Sequence, residues 1–282
     1  MACRLKEENL IRSDFYARIF FNLQQRRDLF LQAGAYSISP SLSLQEMFNL
    51  FQHGTFDVEF TIPEGKRLEE VAQLVSEVLD ITPFDFFSTA FGNNSLEGKL
   101  FPDTYRVPQD IQVEKLVNFI SQNFKRKVDG KLQEQFREQG LTLNESVTIA
   151  SIVEREAKLD EDRPLVAGIL IKRYKSDWLL ETDATVQYAK TSRLCQLGTE
   201  CNWWPNNLTA EDLKIDSPYN TRLKAGLPPM PICSPGLKSL TAVAQPLESP
   251  YWFYLSDETG KTYYSVSYEE HLVKAEKVLG RY

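Results

Sequence analysis

Glu156 closes the stretch Thr142-Leu-Asn-Glu145-Ser-Val-Thr-Ile149-Ala-Ser-Ile152-Val153-Glu154-Arg155-Glu156. Ile149, Ile152, Val153 and Glu156 stand at i, i+3, i+4 and i+7, so on a helix they share one face. Glu154 lies roughly 140° round from Ile149 at about 100° per residue, and Arg155 points away from the Glu156 face. A carboxyl among apolar neighbours resists ionising, because its charged form is desolvated. A carboxyl that keeps its proton near neutral pH is what a general acid needs. Taken alone, the pattern favours the plainer reading of a glutamate at a helix end, bent back to solvent.

Other polar side chains cluster in turn-rich segments. Glu181-Thr182-Asp183-Ala184-Thr185 combines two acids with two hydroxyls, and Glu97 and Asp103 bracket a Gly- and Pro-containing loop. An acid in such a loop is usually just solvated. Asp216-Ser217-Pro218-Tyr219-Asn220-Thr221, Gly226-Leu-Pro-Pro229 and Ile232-Cys-Ser234-Pro-Gly236 are dense in Pro and Gly. Rigid, non-repetitive loops of this kind often carry functional groups. Tyr219 and Asn220 could stack on and hydrogen-bond a sugar, or the segment could be a stiff surface linker. Trp203, Trp204, Trp252 and Tyr254 fit sugar platforms or a core equally.

The elements that must position these residues follow from periodicity and caps. Thr142 and Glu145 form a capping box that opens a helix over about 142–158, followed by a second over 163–175. Tyr251-Trp-Phe-Tyr-Leu255 and Thr262-Tyr-Tyr-Ser-Val266 flank a hairpin turn, and Ser267 caps a last helix. Ahead of these, Gly34–Ile38 and Val58–Ile62 read as strands. Ser43-Leu-Gln-Glu46 opens one helix, and Leu68, Val71, Ala72 and Val75 mark another. Residues 81–140 read as mostly helical, interrupted by a loop over 96–105 and resuming as one helix over 114–139. The resulting class is α+β: a small αβ module with an N-terminal helix over 1–80, its strand–helix–strand–helix order compatible with a LysM-like module, then a mixed helical and β main domain over 81–282.

A chain of 282 residues and net charge -7 suits more than one compact unit and repels phosphate backbones, so nucleic acid is a poor partner. Its two histidines, His53 and His271, are far apart, and no Cys-x-x-Cys occurs. No metal site, Ser-His-Asp triad or cofactor is therefore expected. Cys195 and Cys201 flank a short loop and are equally readable as free thiols or as a pair in an oxidising compartment. No run of about 18 apolar residues is present.

Six motifs then combine. Leu-Glu-Gly-x-x-x-Pro-Asp-Thr-Tyr (96–105), Ala-Ser-Ile-Val-Glu-Arg-Glu (150–156), Thr-Asp-x-Thr-Val-x-Tyr (182–188), Tyr-Asn-Thr (219–221), Gly-Leu-Pro-Pro (226–229) and Ser-Pro-Gly (234–236) resemble, in order and spacing, the endolytic murein transglycosylases of the MltG (YceG-like) family. The resemblance covers roughly residues 30–280. It implies cleavage of the β-1,4 bond between N-acetylmuramic acid and N-acetylglucosamine inside peptidoglycan strands. It implies 1,6-anhydro-muramic ends and a role in trimming or terminating new strands. Glu156, the second Glu of Glu-x-Glu, becomes the implied catalytic acid. Glu97, Thr182, Asp183, Tyr219, Asn220 and Ser234 become implied substrate-binding or supporting residues. The family further implies work beside peptidoglycan synthases, outside the cytoplasmic membrane, on one N-terminal anchor helix that this sequence does not contain. Glu181 and Ala184 depart from the usual Gln and Pro of the Thr-Asp loop, and the stretch around Cys195 to Pro205 reads as an insertion outside the matched motifs. A hydrolytic muramidase using Asp183 or Glu97 as second carboxylate, and a non-catalytic wall-binding scaffold, are the rival readings.

Overall fold

A computed structural model describes residues 1–25, 36, 38–53, 57–92, 95–257 and 259–280. Its first helices are α1 (Ala2–Glu7), α2 (Asp14–Gln25), α3 (Leu44–His53), α4 (Leu68–Ser76), α5 (Pro83–Phe91) and α6 (Val113–Lys127). They are followed by α7 (Gly130–Glu138), α8 (Leu143–Glu156), α9 (Arg163–Lys175), α10 (Asp183–Leu194), α11 (Leu237–Ala244) and α12 (Tyr268–Leu279). Two strands, β1 (Asp57–Thr61) and β2 (Thr104–Pro108), pair with each other, as do β3 (Phe253–Ser256) and β4 (Thr262–Ser265). The class is α+β. Among the described residues no helix is long and apolar enough to cross a membrane.

The chain forms two compact units. One comprises residues 1–60, 78–80 and 105–112; the other comprises 61–77, 81–104 and 113–282. In the first, α1, α2 and α3 enclose Leu5, Ala17, Phe21, Met47, Phe48 and Phe51, and Phe60 of β1 stacks on Tyr105 of β2. The capping box read at Ser43 and Glu46 is present in both directions. Of the strand read over 34–38, Gly34, Ala35 and Ser37 lie outside the described residues, and Tyr36 and Ile38 belong to no strand.

The second unit is built around α8, which packs against α7, α9, α10 and α11. Every residue from Ser146 to Val153 is buried. The helix is thus covered on all sides rather than along one stripe, the pattern of a central core element. Thr142 and Glu145 form the expected capping box. The helix read over 114–139 is in fact two, because the Asp129 side chain accepts the Leu132 N–H and starts α7 afresh. The loop over 96–105 runs into β2, and the polar stretch after Glu181 begins with α10, neither of which the sequence pattern marked. The buried face of α10 is Ala184, Thr185, Val186, Tyr188 and Ala189, too small and polar to show a clear apolar period. The β3–β4 hairpin is antiparallel, with Phe253 opposite Ser265 and Ser256 opposite Thr262. Ser267 caps α12 through the Glu270 N–H. Cys195 and Cys201 are joined in a disulfide.

Candidate active site

Glu156 is the last residue of α8, where the buried helix runs out into a cleft of about 440 Å³. The cleft is walled by the start of α10, by Arg222, by β3 and by one side of α12. Two groups hold the carboxyl. The Ala184 N–H, in the first turn of α10, donates to Oε1 at 3.3 Å, and the Tyr254 hydroxyl donates to Oε2 at 3.3 Å. Burial pushes the Glu156 pKa up to about 7, and the nearby Asp183 carboxylate pushes the same way. The two hydrogen bonds and Arg222 oppose the rise without cancelling it. Tyr254, desolvated beside Glu156, is raised well above its ordinary value and stays a neutral hydroxyl.

Glu154, two residues earlier, is also removed from water, but it faces a cation. It is ion-paired to buried Arg163 at 2.9 Å and accepts the Gly236 N–H and the Ser239 hydroxyl at the start of α11. A Cβ at Gly236 would displace the Glu64 side chain, whose Oε1 lies 1.8 Å from that position. Arg155, read as pointing away, instead reaches the cleft wall, with its guanidinium carbon over the Trp204 ring at 3.9 Å from the centroid.

Of the other residues singled out from the sequence, Asp183 lines the cleft, tied to Arg222 at 2.6 and 3.1 Å. Thr182, Tyr219, Asn220, Ser234 and Glu97 do not line it. Two of them, Thr182 and Asn220, build its wall from behind. Thr182, Thr185 and Thr221 join their hydroxyls in one buried cluster. Together with the Glu181 N–H on the Thr221 carbonyl, this cluster fixes the start of α10, and hence the Ala184 N–H. The cost is a left-handed backbone at Glu181, φ 54°. Asn220 is fully buried; its amide donates to the Leu213 and Ile215 carbonyls, and its oxygen accepts the Arg222 N–H. It thereby folds the loop that delivers Arg222. Ser234 exchanges backbone hydrogen bonds with Gly65 and Lys66, and Tyr219 packs on Tyr188 at 4.6 Å.

Glu97 is 3% exposed and sits at the N-terminus of α4, where both its oxygens accept the Leu68 N–H at 3.2 Å. Burial, with repulsion from Glu69, pushes its pKa up to about 8 against the pull of Arg67. The Leu-Glu-Gly motif is explained by its neighbours: Gly98 has φ 75°, and a Cβ there would meet Pro231 at 2.4 Å.

Sequence reasoning missed Arg222, Arg173, His271 and Tyr268 as cleft residues. Arg173 donates to the carbonyls of Leu180 and Trp252, joining the α10 side of the cleft to β3. Nothing in its local pattern separates it from a surface arginine. Tyr254 was legible only as one aromatic among four.

A half-buried carboxyl with a raised pKa, on the floor of an open cleft, has the properties a general acid needs. The chain belongs to the YceG-like family, whose pattern matches residues 1–277. It is similar to the endolytic murein transglycosylase of Streptococcus pneumoniae, 28% identical over 279 residues, which cover 86% of this chain and 49% of that protein. It therefore spans about half the length of the pneumococcal relative. It is also similar to the endolytic murein transglycosylase of Bacillus subtilis, 25% identical over 306 residues, covering 99% of this chain and 81% of that one. The crystal structure of a YceG-like protein from Listeria monocytogenes superposes with a TM-score of 0.66 at 27% identity, covering 96% of this chain and 93% of that one.

Proposed function

We propose that this chain is a peptidoglycan lytic transglycosylase that cuts the β-1,4 bond between N-acetylmuramic acid and N-acetylglucosamine within strands. The observation that carries the reading is Glu156: a carboxyl with pKa about 7 at the floor of a cleft, in a chain of the YceG-like family. Glu156 gives its proton to the departing glycosidic oxygen as the C1–O bond breaks. The resulting carboxylate then takes the proton of the muramyl C6 hydroxyl as that oxygen bonds to C1. The proton is returned, no water enters, and the product ends in 1,6-anhydro-muramic acid. Because the internal hydroxyl replaces water, the two-carboxylate arrangement of hydrolases is not needed. The engagement of Asp183 by Arg222 supports the single-acid scheme over hydrolysis. Asp183 raises the Glu156 pKa in the resting site, and its charge faces the oxocarbenium-like transition state.

The finer assignments belong to the same proposal. The cut trims or terminates new strands beside peptidoglycan synthases, on the outer side of the cytoplasmic membrane. The Cys195–Cys201 disulfide supports an oxidising compartment. The front of the chain, over 1–80, holds glycan as a LysM-like module, and 81–282 carries the chemistry. The pairing of β1 with β2 around α4 and α5 in sequence supports a small strand–helix–helix–strand module, one that then runs on to residue 108. Thr182 and Asn220 act in support by shaping the wall, and Tyr219, Ser234 and Glu97 act in support further from the cleft. Digestion of purified peptidoglycan followed by mass spectrometry of the fragment ends tests the reading. Anhydro ends, lighter than hydrolysed ends by one water, are expected. Hydrolysed ends establish a muramidase, and binding without cleavage establishes a scaffold.

A further inference from the structure

Tyr268, the first residue of α12, is 53% exposed yet lines the same cleft as Glu156. An aromatic this open usually just meets solvent. This one is braced from within the cleft wall. Phe253 lies 5.8 Å from its ring, and His271 lies 6.4 Å away with the planes 30° apart. Phe253 and His271 in turn stack on each other at 5.4 Å. The brace is uncharged at neutral pH, since burial and Arg173 hold His271 below its usual range. Of the cleft arginines, Arg222 is engaged by Asp183 and Arg173 by main-chain carbonyls. Tyr268 therefore offers a rigid, open aromatic surface beside the acid.

We propose that Tyr268, backed by Phe253 and His271, is a stacking platform for one pyranose ring of the substrate, a sugar subsite of the Glu156 cleft. This rests on the glycan reading above. One face of a β-linked pyranose presents C–H groups that pack on the electron-rich face of an aromatic ring, while its hydroxyls stay at the wet edge. Tyrosine presents that area with little loss of side-chain freedom. The cleft volume of about 440 Å³ falls within the roughly 300–1,000 Å³ of small-molecule sites.

The test is titration of a β-1,4-linked N-acetylglucosamine tetramer into Glu156→Gln protein, followed by ligand-observed NMR. Adding Tyr268→Ala weakens binding roughly three- to tenfold, and Tyr268→Phe preserves it. Phe119→Ala, which trims an exposed aromatic of α6 outside both the cleft and the front module, leaves it unchanged. Tyr268 is exposed and alanine is a good helix former, so the fold survives; circular dichroism verifies this. With Glu156 intact, Tyr268→Ala raises KM on glycan strands with little change in kcat. Equal tetramer affinity with and without Tyr268, or no binding by the parent, overturns the platform. Tyr268-dependent binding together with absence of anhydro ends would overturn the lytic reading and leave the platform standing.

Discussion

Glu154 and Glu156 sit two residues apart on the last turn of α8, and both are largely withdrawn from water. On the side facing α9 and α11, Glu154 meets the Arg163 guanidinium, a backbone N–H and a hydroxyl. On the side facing the cleft, Glu156 meets one backbone N–H, one tyrosine hydroxyl and the like charge of Asp183. Desolvation alone does not make an acid: what differs is whether a cation compensates the charge. One carboxyl is paired with a cation in a structural clamp, and the other is left poised to keep a proton. Glu97 adds a third case, a carboxyl sealed at the N-terminus of α4, where burial outweighs the pull of Arg67, and outside the Glu156 cleft. A raised pKa therefore marks an acid of use only where substrate can reach it.

The widest break in the comparison is Glu156→Gln. Glycan cleavage falls by roughly 10²–10⁴-fold, while the melting temperature holds or rises. The sign follows from the raised pKa. The unfolded carboxyl ionises from about pH 4.5 and the folded one near 7, so the wild-type group costs stability as pH rises through that window, and Gln removes the cost. Glu154→Gln gives the opposite profile. It removes the buried anion from Arg163, which keeps only Asp160 and the Ser239 hydroxyl, and lowers stability by about 1–3 kcal/mol, while the protein that remains folded still cuts. Thermal melts and initial rates on the two variants separate the roles. An inactive but fully stable Glu154→Gln protein would exchange them.

This distinction was only partly legible in the sequence. The i, i+3, i+4, i+7 spacing put Glu156 and Glu154 on different sides, and the structure keeps them so. The apolar stripe, however, does not single out Glu156, because α8 is buried all round and Glu154 is as enclosed as its neighbour. The discriminating groups are far off in the chain: Arg163 on α9, Ala184 on α10, Tyr254 on β3. Local periodicity cannot report such contacts. Caps, which are local, were readable at Ser43, Thr142 and Ser267. For the same reason Thr182 and Asn220 stood out as motif residues, while their role in holding α10 and Arg222 from behind the wall emerged only from packing.

Glu97→Gln sharpens the comparison from the sealed side. The folded pKa of about 8 lies above that of the unfolded chain. Wild-type stability therefore falls as pH rises from about 4.5 to about 8, at up to roughly 1.4 kcal/mol per pH unit. Gln still accepts the Leu68 N–H, so the variant should show a flatter stability profile over that range, with cleavage retained at pH 6. Denaturant melts at several pH values measure the slope. An unchanged slope would mean that Glu97 is compensated, as Glu154 is.

The smallest expected effects probe what tunes Glu156 itself. A general acid works while it holds its proton, so the cleavage rate should decline as pH rises through about 7. Asp183 raises the Glu156 pKa, and Asp183→Asn removes that repulsion while freeing Arg222 to act as an uncompensated cation. Both changes favour the Glu156 carboxylate, so the alkaline limb moves to lower pH. Tyr254 works the other way: its hydroxyl donates to the carboxylate at 3.3 Å and stabilises the anion. Tyr254→Phe keeps the ring and removes only that bond, so the limb moves to higher pH. The two substitutions act on one group with opposite sign, which a general loss of stability or of substrate binding would not reproduce. They are also gentler than altering Ile152, which is fully buried and where a polar side chain would unsettle the core before it tuned the acid. pH–rate profiles for wild type and both variants, each checked for folding, give the answer. Limbs that shift in the same direction, or coincide, would mean that the acid governing the rate is not Glu156.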